Sequence, residues 1–104
     1  MTNGLSAVRD DPENSRFVLD QDGATAELVY DIEGSCLTLV HTEVPEALGG
    51  RGIGGQLVKA AVARARAERL TVLPWCPFAR RWLARHPDAA AGTSIDWTSH
   101  PPSP

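Results

Sequence analysis

The sequence predicts a small α+β domain built on a mixed sheet, and three observations predict it. Three segments between residues 16 and 44 show the alternation and the turn residues of antiparallel strands. A glycine-rich loop at residues 48–55 then opens a long segment with helical periodicity. A short apolar strand at residues 70–74 follows that helix, and a crossover helix favours a parallel pairing with the preceding strand.

The three-strand meander is predicted at residues 16–20, 24–32 and 35–44. Asp22-Gly23 is a strong hairpin signal, and a Glu-Gly pair provides the second turn. The middle strand alternates apolar and polar residues along its length, which is typical of a half-buried strand. Pro45 ends the third strand because proline has no N–H to donate to a ladder.

The long helix is amphipathic, so its apolar stripe can cover one face of the sheet. The stripe consists of Ile53, Leu57, Val58, Ala61, Val62 and Ala65. A short second helix is expected over residues 78–86, where Pro87 stops it. Residues 94–97 are a candidate for a last strand.

Composition indicates one domain with short polar flanks. The chain has 104 residues, of which 42% are hydrophobic, enough for a modest core. We expect a flexible N-terminal arm at residues 1–15, the domain at residues 16–97 and a flexible tail at residues 98–104.

Charge and hydropathy exclude several classes of protein. The net charge of -3 argues against a nucleic-acid binder, and no segment has the length of a signal-peptide core or a membrane span. Two cysteines, Cys36 and Cys76, do not resemble a secreted disulfide framework. We therefore expect a cytoplasmic protein with free thiols, as a monomer or weak dimer.

The glycine loop, "LGGRGIGG", places five glycines where a helix begins. Glycine weakens a helix, but at a helix start it lets an anion approach unpaired N–H groups that carry a partial positive charge. Arg51 could add a charge-assisted contact. A flexible turn without a ligand is the alternative, and the loop alone leaves both open.

Two familiar phosphate motifs fit this loop poorly. Gly50-x-Gly52-x-x-Gly55 satisfies the dinucleotide fingerprint literally, but the next strand ends without the acidic residue that the fingerprint needs. An antiparallel meander also contradicts a doubly wound sheet. The Walker A pattern ends in Gly-Lys-Ser/Thr, whereas this loop ends in Gly-Gly-Gln.

Cys76 and His41 are candidate reactive residues. Cys76 lies in "PWCPF", where a strand gives way to the second helix, and a thiol at a helix start can act as a nucleophile. A small buried thiol is the favoured alternative. His41 and Glu43 share one face of the third strand, where either could serve as a base or simply face solvent.

The second helix carries Arg80, Arg81 and Arg85. These side chains could bind phosphate or solvate the outer side of the helix. The tryptophans are better explained by packing than by a stacking platform, because no basic and aromatic residues interleave along the chain.

The order of elements, with these motifs, resembles the central part of the Gcn5-related N-acetyltransferases (GNAT). Their acetyl-CoA loop follows Gln/Arg-x-x-Gly-x-Gly/Ala, of which Arg51-Gly52-Ile53-Gly54 carries the second half and Gly49 replaces the leading residue. The Val-Pro pair, the glycine loop, Pro-x-Cys-Pro-Phe and His-Pro-Asp together resemble the small single-domain subfamily with an active-site cysteine. The resemblance covers residues 19–88.

This resemblance implies acetyl-CoA or CoA as cosubstrate and no metal. The pyrophosphate would lie on the backbone N–H groups of residues 51–55, and the pantetheine would run between the third strand and residues 70–74. Contacts to the cosubstrate are expected from Val44, Gly50, Arg51, Gly52, Ile53, Gly54, Gly55, Phe78, Arg80 and Arg81.

The resemblance also implies acetyl transfer to an unidentified aliphatic amine. Cys76 matches the cysteine beside the acetyl group, so transfer could run through acetyl-Cys76 or by direct attack with His41 as base. A tyrosine acid, frequent in the wider family, has no match on the second helix, which offers Trp82. The short domain suits a macromolecular acceptor, such as a protein lysine. A non-catalytic CoA-binding module and a dinucleotide-binding fragment are the alternatives.

Overall fold

The computed structural model describes residues 8–102 and contains a five-stranded mixed sheet. The strands lie in chain order, antiparallel except for the parallel pair at one edge. They are β1 (Val8–Asp11), β2 (Arg16–Gln21), β3 (Ala24–Glu33), β4 (Cys36–Glu43) and β5 (Thr71–Pro74). The helices are α1 (Ile53–Glu68), α2 (Pro77–Arg85) and the short α3 (Pro87–Ala90).

The predicted α+β fold is confirmed. Strands β2, β3 and β4 form the antiparallel meander, and β5 returns parallel to β4 after α1. Pro87 does end the second helix, but it also begins α3, because proline suits the first turn of a helix.

The core lies between the sheet and α1. Every residue of the predicted apolar stripe of α1 is buried, as are the alternate residues of β3 that face it, Ala26, Leu28 and Tyr30. None of the helices in the described part of the chain is long and apolar enough to cross a membrane.

The N-terminal prediction differs from the structure. Within the segment predicted to be a flexible arm, β1 pairs with β2 and Pro12–Asn14 form a 3-10 turn. The polar β1 is held by distant partners, because Asp10 accepts hydrogen bonds from Tyr30 and Arg64. Residues 1–7 lie outside the described residues.

The C-terminal prediction also differs. The expected strand at residues 94–97 is a single parallel bridge between Ile95 and Val72. The side chain of Asp96 accepts hydrogen bonds from the backbone N–H and the hydroxyl of Thr98, in the turn that follows the bridge. In the predicted tail, Ser99 accepts hydrogen bonds from Trp75 and Arg80, while residues 103 and 104 lie outside the described part.

The pairing of β4 with β5 ends halfway along β4. Their pairing runs from Cys36 and Thr71 to Leu39 and Pro74. Beyond this point Cys76 donates its N–H to the carbonyl oxygen of Leu39 at 2.9 Å, and the chain turns into α2. Among the described residues, no strand pairs with residues 40–43 of β4 on the β5 side.

Candidate functional site

Two glycines in the middle of the loop adopt a backbone conformation that favours glycine. Gly50 has φ 78° and Gly52 has φ 72°, and a Cβ at either position would meet nothing within 4 Å. Gly52 is the N-cap of α1, and its carbonyl oxygen accepts the first helical bond, from Gln56, at 3.2 Å. The N–H groups of residues 53–55 therefore have no partner within the helix.

The last two glycines of the loop have a packing role that the sequence did not indicate. A Cβ at Gly54 would lie 2.6 Å from Cζ of Phe78, and one at Gly55 would collide with the indole of Trp82. Both aromatic side chains come from α2. Hence Gly54 and Gly55 let α2 pack against the start of α1, whereas Gly50 and Gly52 leave the loop open on its outer side.

A cleft of about 430 Å³ lies at the start of α1. Its walls contain seven of the predicted contact residues, Val44, Gly50, Gly52, Ile53, Gly54, Gly55 and Phe78. Pro45, Glu46, Leu48, Gly49 and Trp82 complete the lining. Because Val44 directly follows β4, the cleft is continuous in sequence with the unpaired residues 40–43.

The side chains of the three arginines predicted to contact the cosubstrate do not line this cleft. Arg51 Nη1 lies 2.6 Å from Oδ2 of Asp22, in the turn between β2 and β3. Arg80 donates to the carbonyl oxygens of Trp97 and Ser99, at 2.8 Å each, so its guanidinium holds the C-terminal segment. Arg81 is exposed on α2.

A second cleft, which sequence reasoning missed, adjoins the first at Trp82. It is lined by Lys59, Arg85 and His86 together with Trp82, Pro87, Asp88 and Ala89. The rings of Trp82 and His86 stack at 4.0 Å, and Nδ1 of His86 lies 2.7 Å from the carbonyl oxygen of Trp82. A signal exists in the sequence: Gly55 and Lys59 are four residues apart on α1, as are Trp82 and His86 on α2, so each pair shares one helix face.

Cys76 is the N-cap of α2, and it is 4% exposed. Its Sγ lies 3.2 Å from Oγ1 of Thr42, on the unpaired end of β4. The thiol therefore lies beside β4, just beyond the end of its pairing with β5.

His41 lies on the other face of the sheet. It pairs with Val29, whereas Thr42 pairs with Leu28, which faces the helices. Side chains alternate along a strand, so His41 points away from Cys76. The His41 side chain is 60% exposed, with Nε2 3.5 Å from Oε1 of Glu43.

The family model of the GCN5-related N-acetyl-transferases matches residues 16–91. The chain belongs to this family. The predicted resemblance to a small single-domain GNAT is confirmed, and the active-site cysteine stays a prediction. Members of the GNAT family use acetyl-CoA as cosubstrate. Within residues 8–102, no three His, Cys, Asp or Glu side chains lie close enough together to hold a metal ion.

Curated relatives and a solved structure agree with membership of the GNAT family. The chain is 32% identical to Protein NATD1 of Gallus gallus over 83 residues, covering 77% of this chain and 76% of the relative. Protein NATD1 of Homo sapiens has the same identity, with 77% and 74% coverage. The NMR solution structure of a GCN5-like protein from Staphylococcus aureus is 26% identical, with a TM-score of 0.66 over 90% of this chain and 96% of that one.

Proposed function

We propose that this chain transfers an acetyl group from acetyl-CoA to an aliphatic amine. One observation carries the proposal: Val44, which lines the cleft at the glycine loop, directly follows the part of β4 that has left β5 and whose Thr42 contacts the Cys76 thiol. A GNAT enzyme needs these parts to hold pyrophosphate, pantetheine and the acetyl group.

The loop suits a pyrophosphate. The N–H groups at the start of α1 lack helical partners, and the helix adds a partial positive charge there. Space is open beside Gly50 and Gly52, where a side chain would stand in the approach. Arg51 would reach the phosphate only by leaving Asp22.

The unpaired segment 40–43 suits pantetheine, whose two amides can pair with backbone groups as an added strand would. The second cleft suits a phosphorylated end of the ligand, because Lys59 and Arg85 both line it. We therefore expect CoA to bind more tightly than dephospho-CoA.

Acyl exchange at Cys76 is the proposed chemical route. The sulfur forms a bond to the acetyl carbon as the carbon–sulfur bond to CoA breaks, and the proton lost by the thiol ends on the CoA sulfur. A neutral amine then attacks the acetyl-cysteine, which returns the thiol and yields the amide. In direct attack, the amine would displace CoA itself.

The amine would approach from the face of the sheet that the helices leave open. His41 lies there, on the face opposite to the Thr42 side chain, and it is the base that we propose for the proton of the amine. Asp31, Glu33 and Glu43 are exposed on the same face, and their charge favours a cationic acceptor. A lysine or N-terminus of a protein is the acceptor that we propose.

Ligand binding and turnover test this function separately. Acetyl-CoA and CoA should raise the melting temperature, since each binds only the native state, and NAD should not. Turnover with a panel of amines distinguishes the enzyme from a CoA-binding module or sensor, which would show the shift without turnover. No shift with CoA, or an equal shift with NAD, would overturn the proposal.

The covalent route has its own test. Incubation with acetyl-CoA should leave an acetyl group on Cys76 by peptide mass spectrometry, and that group should pass to an amine as fast as overall turnover. If Cys76→Ala keeps full turnover, direct attack replaces the covalent route.

A further inference from the structure

In the described part of the chain, the Cys76 thiol has one side-chain hydrogen-bond partner. Its Sγ lies 3.2 Å from Oγ1 of Thr42, and either atom could be the donor. A threonine hydroxyl both donates and accepts, so this contact can persist whether the sulfur is a thiol or a thiolate.

The start of α2 supplies no competing partner in the described structure. Pro77, the first helical residue, has no N–H, and the side chain of Cys76 makes no cap hydrogen bond to the following turn. The backbone N–H of Cys76 is already donated to Leu39. Within residues 8–102, the hydroxyl of Thr42 is thus the hydrogen-bond partner of the sulfur.

The place of Thr42 in the sheet explains why it reaches the sulfur. Its partner across the ladder is Leu28, a core residue, so its side chain points to the face where Cys76 lies. It also lies beyond the end of the β4–β5 pairing, where the strands have separated. A hydroxyl here is unneeded for the strand itself, since valine favours a strand equally well.

We propose that Thr42 is a positioning residue for Cys76, which fixes the direction of the thiol and donates its hydroxyl hydrogen as the sulfur becomes anionic. The inference rests on the proposed function, in which Cys76 exchanges an acetyl group with CoA. Cys76 forms its bond to the acetyl carbon, and Thr42 gains and loses nothing. A hydrogen bond to an anionic acceptor is stronger than a neutral one, so the contact favours the attacking form of the sulfur.

Two variants separate the hydroxyl from the shape of the side chain. Thr42→Val keeps the shape and removes the hydroxyl, whereas Thr42→Ser keeps the hydroxyl. The readout is the rate at which iodoacetamide alkylates each cysteine between about pH 6 and pH 10, followed by peptide mass spectrometry. Cys36, at the opposite end of β4, serves as the internal control in every sample.

Thr42→Val should slow alkylation of Cys76 about tenfold at neutral pH and move the rise in rate to higher pH. Thr42→Ser should stay within about threefold of the native rate, and Cys36 should react equally in all three proteins. Formation of acetyl-Cys76 from acetyl-CoA should also slow about tenfold in Thr42→Val.

Three results would overturn the assignment. These are a native alkylation profile in Thr42→Val, a loss in Thr42→Ser as large as in Thr42→Val, and a parallel change at Cys36, which would report general opening of the fold. Alkylation does not need acetyl transfer, so its outcome is independent of turnover. Full turnover in Cys76→Ala would contradict the covalent route but not the contact between Thr42 and the thiol.

Discussion

The glycines of the loop have two different structural roles, although the sequence does not distinguish them. Gly50 and Gly52 are required by their backbone angles, and Gly54 and Gly55 by the aromatic side chains of α2. The sequence-based hypothesis gave Gly54 the role of admitting phosphate. The structure supplies a packing reason that does not depend on any ligand.

Gly54→Ala should lower the free energy of unfolding by about 1–3 kcal/mol, because the new methyl overlaps the ring of Phe78. Phe78→Leu should remove the overlap, so the double variant should be more stable than the sum of the single effects predicts, by about 1 kcal/mol. Urea unfolding measures all three.

Gly50→Ala is the matched control. Its cost should be about 1 kcal/mol, from left-handed strain alone, and should be independent of Phe78, because within residues 8–102 no atom beyond the neighbouring residues lies within 4 Å of the added Cβ. Additive effects of Gly54→Ala and Phe78→Leu would contradict the packing role.

At the scale of elements, strand and helix patterns carried most of the fold. Alternation and two turns predicted the meander of β2 to β4, and the apolar stripe predicted α1. A short apolar run predicted β5, and Pro87 marked the end of α2. Each of these signals is local in the sequence. β1 was not predicted from the sequence, because it is polar and because its hydrogen bonds come from Tyr30 and Arg64, which are distant in sequence. The contact of Thr42 with Cys76 was not predicted for the same reason, since the two residues are 34 positions apart.

Tyr30 joins three elements, β1, β3 and α1. Its hydroxyl donates to Asp10 at 2.7 Å and accepts from Arg64 at 2.6 Å. Burial, and then the Asp10 carboxylate, raise the pKa of Tyr30 above its ordinary value of 10.0. A raised pKa in the folded state means that this stability is fully present below about pH 10 and is lost as the pH rises through the folded pKa.

Tyr30→Phe should therefore lower the free energy of unfolding by about 1 kcal/mol at pH 7, because it leaves the Asp10–Arg64 pair but removes the hydroxyl. The gap between the native protein and the variant should narrow above about pH 10, as measured by urea unfolding across that range. A gap that stays constant or widens would mean that the hydroxyl does not couple these elements.

At the scale of the whole molecule, the C-terminal segment closes the outer edge of the sheet. Val72 of β5 donates to Ser94 and accepts from Asp96, both at 2.9 Å, and Trp75 donates to Ser99 at 2.8 Å. An unpaired strand edge invites association with other chains, so a covering segment protects it. Local patterns indicated a candidate strand at residues 94–97, but they could not reveal the hydrogen bonds of Ser99 to Trp75 and Arg80, which are distant in sequence.

Arg80 and Arg81 are neighbours on α2, and their substitution should affect different properties: stability for Arg80 and CoA affinity for Arg81. Arg80→Gln should lower the free energy of unfolding by about 1 kcal/mol, because it loses two charge-assisted bonds to Trp97 and Ser99, and should leave CoA affinity within about twofold. Arg81→Gln should leave stability unchanged, because Arg81 is exposed, and should weaken CoA binding if it remains free to meet a phosphate, as the family resemblance predicts. Urea unfolding and calorimetric titration with CoA give both quantities for each variant. An Arg80→Gln protein that keeps its stability but binds CoA more weakly would show that Arg80 contacts the phosphate and does not hold the C-terminal segment.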